Sequence, residues 1–365
     1  MPTLSRFRKR SKFYKIAVIT ILAILFLNNV WYYLGVFSPD SIFSVYTEGY
    51  FSFITSLQRI LFGFIPISVG DVLYIIAVLY VVILTFLLLL NLLRFRFSKL
   101  LTRVINLGVF LFLIWLLLGS QWNWNYAQPS LEEKMNLDNS DYSVNELANF
   151  TIQLIKETEL NKKDANFNIF KNGNDAILDI SILGYKTLAK KDDFFEYEYP
   201  SIKYSLFSDI LPYIGISGYY NPFTAEAQIT KGIPIIQIPF VINHELSHQL
   251  GIASEAEANF IGYLASINNP LTTVRYSGQL MLLGNCLSEL KEREYEDYEN
   301  MVTTIPNSIK IDFQEIREYW ETYRNKYRKY SDRGYDKFLK SNNQKEGLES
   351  YNKVVSLAIF YNRKK

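Results

Sequence analysis

Two histidines occur in 365 residues, and they stand four apart, in His244-Glu245-Leu246-Ser247-His248. On a helix, positions i and i+4 share one face, a single turn apart. Two imidazoles so placed can both reach one Zn²⁺ at about 2.0–2.1 Å. The glutamate after the first histidine stays beside the open coordination position, where it can take a proton from a water that the metal activates. Two histidines placed at random, with glutamate in that slot, would give this pattern on the order of once in 3,000 arrangements. The pattern is therefore read as a site, with His244 and His248 as metal ligands and Glu245 as general base.

A metal held this way needs a third protein ligand, and no histidine remains. Gly251 follows His248 by three residues and can end the helix and turn the chain back. The carboxylates Glu255 and Glu257 come next. Ser254 is a natural N-cap for the following helix, which makes Glu257 the N3 residue of a Ser-x-x-Glu capping box. Glu255 is left free, on a small polar face with Asn259, Gly262 and Ser266. Glu255 is thus the expected third ligand, with Glu257 the alternative and Asn259 a supporting partner. Tyr276 is a candidate to stabilise an oxyanion, as is Arg275 beside it. Glu226 is read either as an extra carboxylate near the metal or as a surface acid.

The elements that must position these residues divide by composition. Residues 16–120 hold long uncharged apolar runs, and residues 127–365 are mixed and charge-rich. Spans of about 20 apolar residues cross a bilayer, which points to crossings at about 16–37, 72–93 and 104–120. Residues 1–15 carry six basic residues and no acid, and the 94–103 link carries four and no acid. Basic loops stay in the cytoplasm, so the N-terminus is expected inside and everything beyond Ser120 outside. Trp122, Trp124 and Tyr126 fall where an outer aromatic belt is expected. Arg59 makes residues 51–69 a poor span, so an interfacial or partly re-entrant helix is expected there, with Asp71 capping the span that follows.

The rest reads as helix at 144–160, 240–250, 255–267, 277–296, 310–328 and 347–362, and 184–205 reads as a helix and its entry into a loop. Short β candidates fall at Glu226–Thr230 and Ile233–Ile238. Pro234 and Pro239 flank the second, which suits a sheet edge. That strand is expected to pair with an extended substrate. The expected fold is mainly α: a membrane domain over 1–126 with three transmembrane helices, then a helix-rich, zincin-like extracytoplasmic domain over 127–365 with a small β element. A single cysteine, Cys286, excludes a disulfide scaffold, and the net charge of +2 gives no case for nucleic acid.

The stretch HELSHQLGIASEAEANFIGYLA resembles the signature of the bacterial membrane family called domain of unknown function 3810. The similarity runs through GFIPISVGD, WNWNY, SGYYNPFTAEA, RYSG and FLKSNNQKEGLESY, over nearly the whole chain. That family is treated as zinc metallopeptidases because of its HExxH, so the resemblance implies architecture more than chemistry. Glu255-Ala256-Glu257-Ala258-Asn259 also resembles the E-x-x-A-D motif of Ste24-type membrane peptidases, whose first glutamate is the third zinc ligand. By position this again selects Glu255. Asn259 stands where that motif has aspartate, and the spacing from His248 is shorter.

The expected function is a membrane-anchored, zinc-dependent metallopeptidase acting on peptide or protein substrates, with Zn²⁺ as cofactor and the cell membrane as its location. The competing reading is a non-proteolytic, zinc-binding membrane scaffold.

Overall fold

A computed structural model describes residues 3–35, 37–170, 179–196, 198–325, 328–341 and 351–364. The N-terminal third carries four longer helices: α1 (Thr3–Leu34), α2 (Ser52–Phe62), α3 (Val69–Leu93) and α4 (Phe97–Gln121). By compactness the chain forms two units, Met1–Phe51 with Leu73–Gln128, and Ser52–Val72 with Pro129–Lys365.

In the first unit, α3 and α4 are long and apolar enough to cross a membrane, and their side chains mostly face outward. The first expected span is corrected. Among the described residues its apolar part is Val18–Leu34, a shorter stretch than α3 or α4 offers. Two helices, not three, therefore qualify among the described residues. Asn29 of α1 is fully buried, and its side-chain amide donates to the Leu116 carbonyl at 3.1 Å and to Ser120 Oγ at 3.1 Å. A buried amide needs such partners, since leaving it unsatisfied costs about 1–3 kcal/mol. The expected aromatic belt is turned inward. Trp122 and Trp124 are buried, and Trp124 packs edge-on against Tyr32 at 5.4 Å.

The main segment of the second unit begins at Pro129, close to the compositional change near 127, and residues 52–72 group with it. Of these, Ser52–Phe62 form α2, an 11-residue helix that buries Thr55, Gln58 and Arg59 and exposes Phe53, Leu57, Ile60 and Leu61. Asp71 does not cap α3. Ser68 does, its Oγ accepting from Asp71 N at 3.0 Å. The rest of the unit holds α5 (Val144–Asp164), α6 (Leu183–Ala189), α7 (Ile238–Gln249), α8 (Glu255–Ile267), α9 (Thr272–Glu292), α10 (Asn307–Thr322), α11 (Arg328–Ser341) and α12 (Tyr351–Lys364). Residues 342–350, where a helix from 347 was expected to start, lie outside the described residues.

Helix α5 forms as its pattern requires. Ser143 caps it, accepting from Glu146 N at 3.1 Å, and Leu147, Leu154 and Ile155 share a buried face. Helices α7 and α8 are buried nearly all round, polar residues included, and with α9 they pack on one another at the centre of the unit. Burying each of their Leu, Ile and Phe side chains contributes about 1.5–3 kcal/mol. The region expected as a helix and its entry into a loop over 184–205 holds α6 and a 3₁₀ turn at Asp193–Phe195, and its end is a strand.

Three strands make the sheet: β1 (Ile202–Tyr204), β2 (Gly218–Asn221) and β3 (Glu226–Ile229), in the order β1-β3-β2. β1 is parallel to β3, with Ile202 opposite Ala227, and β2 is antiparallel, with Gly218 opposite Ile229. The strand expected at 233–238 is absent. Gln237 N donates to the Pro234 carbonyl in a turn, and Pro239 lies in the first turn of α7. Proline suits the start of a helix because its missing N–H would have no partner there. The flanking prolines therefore mark a helix start, not a sheet edge.

Buried acids lock the sheet to the start of α3. Glu226 is fully buried and accepts from Val69 N at 3.2 Å, Gly70 N at 2.7 Å and Thr224 Oγ1 at 3.0 Å, and it pairs with Lys203 Nζ. Asp71, also fully buried, accepts from Leu206 N at 2.7 Å, Ser205 Oγ at 3.0 Å and the Tyr219 hydroxyl. Two helix N-terminal amides and a strand are thus held by carboxylates whose lone pairs are used.

Candidate functional site

Helix α7 lies against β2 and β3 on one side and α8 on the other, so its HELSH segment is enclosed. Gly251 has φ of +87°, a left-handed conformation that glycine adopts without penalty, and its N–H closes on the His248 carbonyl at 3.0 Å. That reversal returns the chain so that α8 begins beside the histidines. Glu255 then faces both rings. One carboxylate oxygen lies 3.3 Å from His244 Nε2 and the other 3.8 Å from His248 Nε2.

The ring of His248 is oriented from behind. Its Nδ1 lies 2.6 Å from the Ile252 carbonyl. A carbonyl can only accept, so Nδ1 carries the proton and the Nε2 lone pair points toward Glu255. Burial pushes the His248 pKa down to about 4, which keeps the ring neutral. Burial also works to lower the His244 pKa. The Glu255 hydrogen bond, the charges of Glu245 and Glu255, and the nearby Asn259 side chain outweigh it and hold the value above ordinary. Asn259 was expected in this supporting place.

Glu245 is buried beside them. One of its carboxylate oxygens and one ring nitrogen each of His244 and His248 lie within 4.8 Å of one another. Glu245 Oε2 is buried with no hydrogen-bond partner, as is His244 Nδ1. Burial raises the Glu245 pKa to about 8, opposed by His244 and reinforced by Glu255. Orphaned buried acceptors are rare in folded proteins because each forfeits its hydration. Two neutral-capable imidazoles, a carboxylate across from both and an orphaned acceptor are a donor set that fits a divalent cation with nitrogen and oxygen ligands.

The wall opposite α7 is β2. A Cβ at Gly218 would come 2.7 Å from Glu245 Oε1 and 2.9 Å from its Cγ, so only glycine lets the strand run this close. The Tyr220 and His248 rings lie 6.3 Å apart. Thr230 N donates to the Ser217 carbonyl at 2.9 Å. In an antiparallel ladder the bonded positions alternate, so Ser217 and Tyr219 face β3, and Gly218 and Tyr220 turn their backbone groups the other way. Among the described residues no strand pairs with that outer edge.

The other expected residues lie elsewhere. Tyr276 is fully buried, and its hydroxyl donates to Asp312, which Lys162 also engages, so it is corrected from a candidate oxyanion donor to a packed structural group. Arg275 binds Asn161 and the carbonyls of Asn269 and Pro270. Glu226 holds α3. Glu257 is separated from the histidines for a different reason than capping alone. Ser254 does accept from Glu257 N, at 3.5 Å, but the Glu257 carboxylate turns to Leu131 N at 3.2 Å and Lys353 Nζ at 3.4 Å. Sequence reasoning missed the β2 edge, although Gly218 and the paired tyrosines lie inside the SGYYNPFTAEA segment. The missed signal was a glycine at the start of a four-residue β run.

No curated protein and no solved structure matches the chain. The family model described as "Protein of unknown function (DUF3810)" matches residues 46–359, most of the sequence that builds both units, and the chain belongs to that family.

Proposed function

We propose that this protein is a membrane-anchored, zinc-dependent metallopeptidase. The observation that carries the reading is Glu255 set across from both histidine Nε2 atoms, with the orphaned Glu245 acceptor beside them. His244, His248 and Glu255 would hold the metal. Bound zinc supplies Lewis acidity, which lowers the pKa of a water and polarises the scissile carbonyl. Glu245 takes the proton of the attacking water and delivers it to the leaving amine. Ile252 fixes the tautomer of His248 throughout. The outward backbone groups of Gly218 pair with an extended substrate, a role that passes to β2 from the absent strand at 233–238.

Two apolar helices support membrane anchoring. The ten basic residues in 1–15 and 94–103 support an extracytoplasmic catalytic unit. A reporter fused after Lys365 that works only in the cytoplasm would reverse that orientation.

The test of function is metal content of the purified full chain together with a broad peptide-cleavage screen. One zinc per chain is expected, with cleavage reduced about 10²–10⁴-fold by Glu245→Gln. Zinc retained with no peptide hydrolysed would favour the scaffold reading instead.

A further inference from the structure

The end of α10, the start of α11 and the turn between them line an open cavity of ≈ 520 Å³ whose walls include neither histidine. Arg317 and Arg324 on the α10 side, and Arg328 and Lys329 on α11, line it around Trp320. Two acids, Glu321 and Asp332, also line it, so the cations are in excess. Among the described residues no ion pair or side-chain hydrogen bond engages the guanidinium groups of Arg317, Arg324 or Arg328. Guanidinium groups left without internal partners in one cavity present ready forks to a carboxylate or phosphate.

The cavity is fastened to both walls of the candidate site. Trp320 Nε1 donates to Gln237 Oε1 at 3.1 Å, and Gln237 is the residue just before α7. Asn325 Nδ2 donates to the Tyr213 carbonyl at 2.7 Å, and the Arg328 guanidinium lies on Gly215, where a Cβ would come 2.8 Å from Nη2. Gly215 leads into β2. Seven helical residues from Gln237 to His244 span about 10 Å. Three extended residues from Gly215 to Gly218 also span about 10 Å. Both routes set the cavity about three residues of extended chain from the scissile position.

We propose that this cavity is a specificity subsite that takes acidic side chains of a substrate, about three residues from the bond to be cut. The proposal rests on the peptidase reading for the substrate but not for the binding. Arginines pair with the acidic group, Trp320 forms an apolar floor for its stem, and β2 carries the intervening backbone.

The test uses the full chain bearing Glu245→Gln, so that nothing is turned over. Its probes are a labelled extended peptide with two adjacent glutamates and the same peptide with glutamines. The acidic peptide should bind about tenfold tighter, the worth of one charge-assisted contact. The preference should weaken as salt is raised and vanish in Arg317→Glu/Arg324→Glu, with zinc content unchanged. Arg324→Gln, a milder change at an exposed position, should reduce it partly and guards against misfolding of the double variant. Equal affinity for the two peptides, or a preference that survives the double variant, overturns the proposal. If no peptide is cut by the wild type but the arginine-dependent preference is seen, the peptidase reading fails and the acidic subsite stands.

Discussion

Two groups of buried acids lie in the second unit, and they are treated in opposite ways. Glu226 and Asp71 are fully buried, yet their oxygens are met by backbone amides, hydroxyls and Lys203. Glu245 is almost as buried, and one of its oxygens meets nothing. A buried carboxylate with its lone pairs filled holds a fold together; one left partly empty is retained at a cost in stability. Such uncompensated groups concentrate where chemistry is done. Burial alone would not have separated the two groups. Hydrogen-bond accounting does.

The largest expected effect falls on the satisfied group. Glu226→Ala leaves Lys203 buried without its charge partner and should lower stability by about 3–5 kcal/mol in denaturant unfolding. Glu245→Ala should stay within about 1 kcal/mol of the parent. Comparable losses from both would erase the distinction drawn here. Next comes the metal. Zinc at a hundred times its Kd should stabilise the folded chain by about 2.7 kcal/mol, measured as a raised Tm that a chelator reverses. His248→Ala should show no such rise.

Glu255 and Glu257 sharpen the comparison within one helix turn. Glu257→Ala strands Leu131 N and leaves Lys353 with Glu132, and it should cost about 1–3 kcal/mol while metal binding persists. Glu255→Ala should weaken zinc binding and leave the melting of metal-free protein near the parent. If the two variants exchange behaviours, the ligand assignment is reversed.

The smallest effect is expected at a solvent-facing pair. The Arg363 hydrogen bond holds Glu146 below its ordinary pKa of 4.5. The folded value lies below the unfolded one, so the pair stabilises above about pH 4.5 and loses that contribution as pH falls through the folded value. The stability gap between parent and Glu146→Gln should therefore be present at neutral pH and close in acid. A gap that widens in acid would contradict the sign.

Much of the site was legible. The spacing of His244 and His248 requires only that the segment be helical, and helical geometry fixes which faces meet. Gly251 announced the reversal that returns Glu255, and Ser254 announced the start of α8. Tyr276 was misjudged because a tyrosine near a motif carries no sign of which partner takes its hydroxyl. Residues 233–238 were misjudged because β-branched residues between prolines suit both a sheet edge and the turn that enters a helix.

What the sequence determined by itself is local: the two long apolar helices, the HExxH face, the caps and the glycine turn, all set by neighbours within a few residues. Tertiary structure alone decided that residues 52–72 join the second unit, that Glu226 clamps α3, and that β2 borders Glu245. Those outcomes depend on contacts between residues as much as 165 positions apart. Such contacts form only when the packed core of α7, α8 and α9 brings the partners within hydrogen-bond reach. Periodicity and propensity carry no record of pairing at that range, because a buried carboxylate and an exposed one are spelled with the same letter.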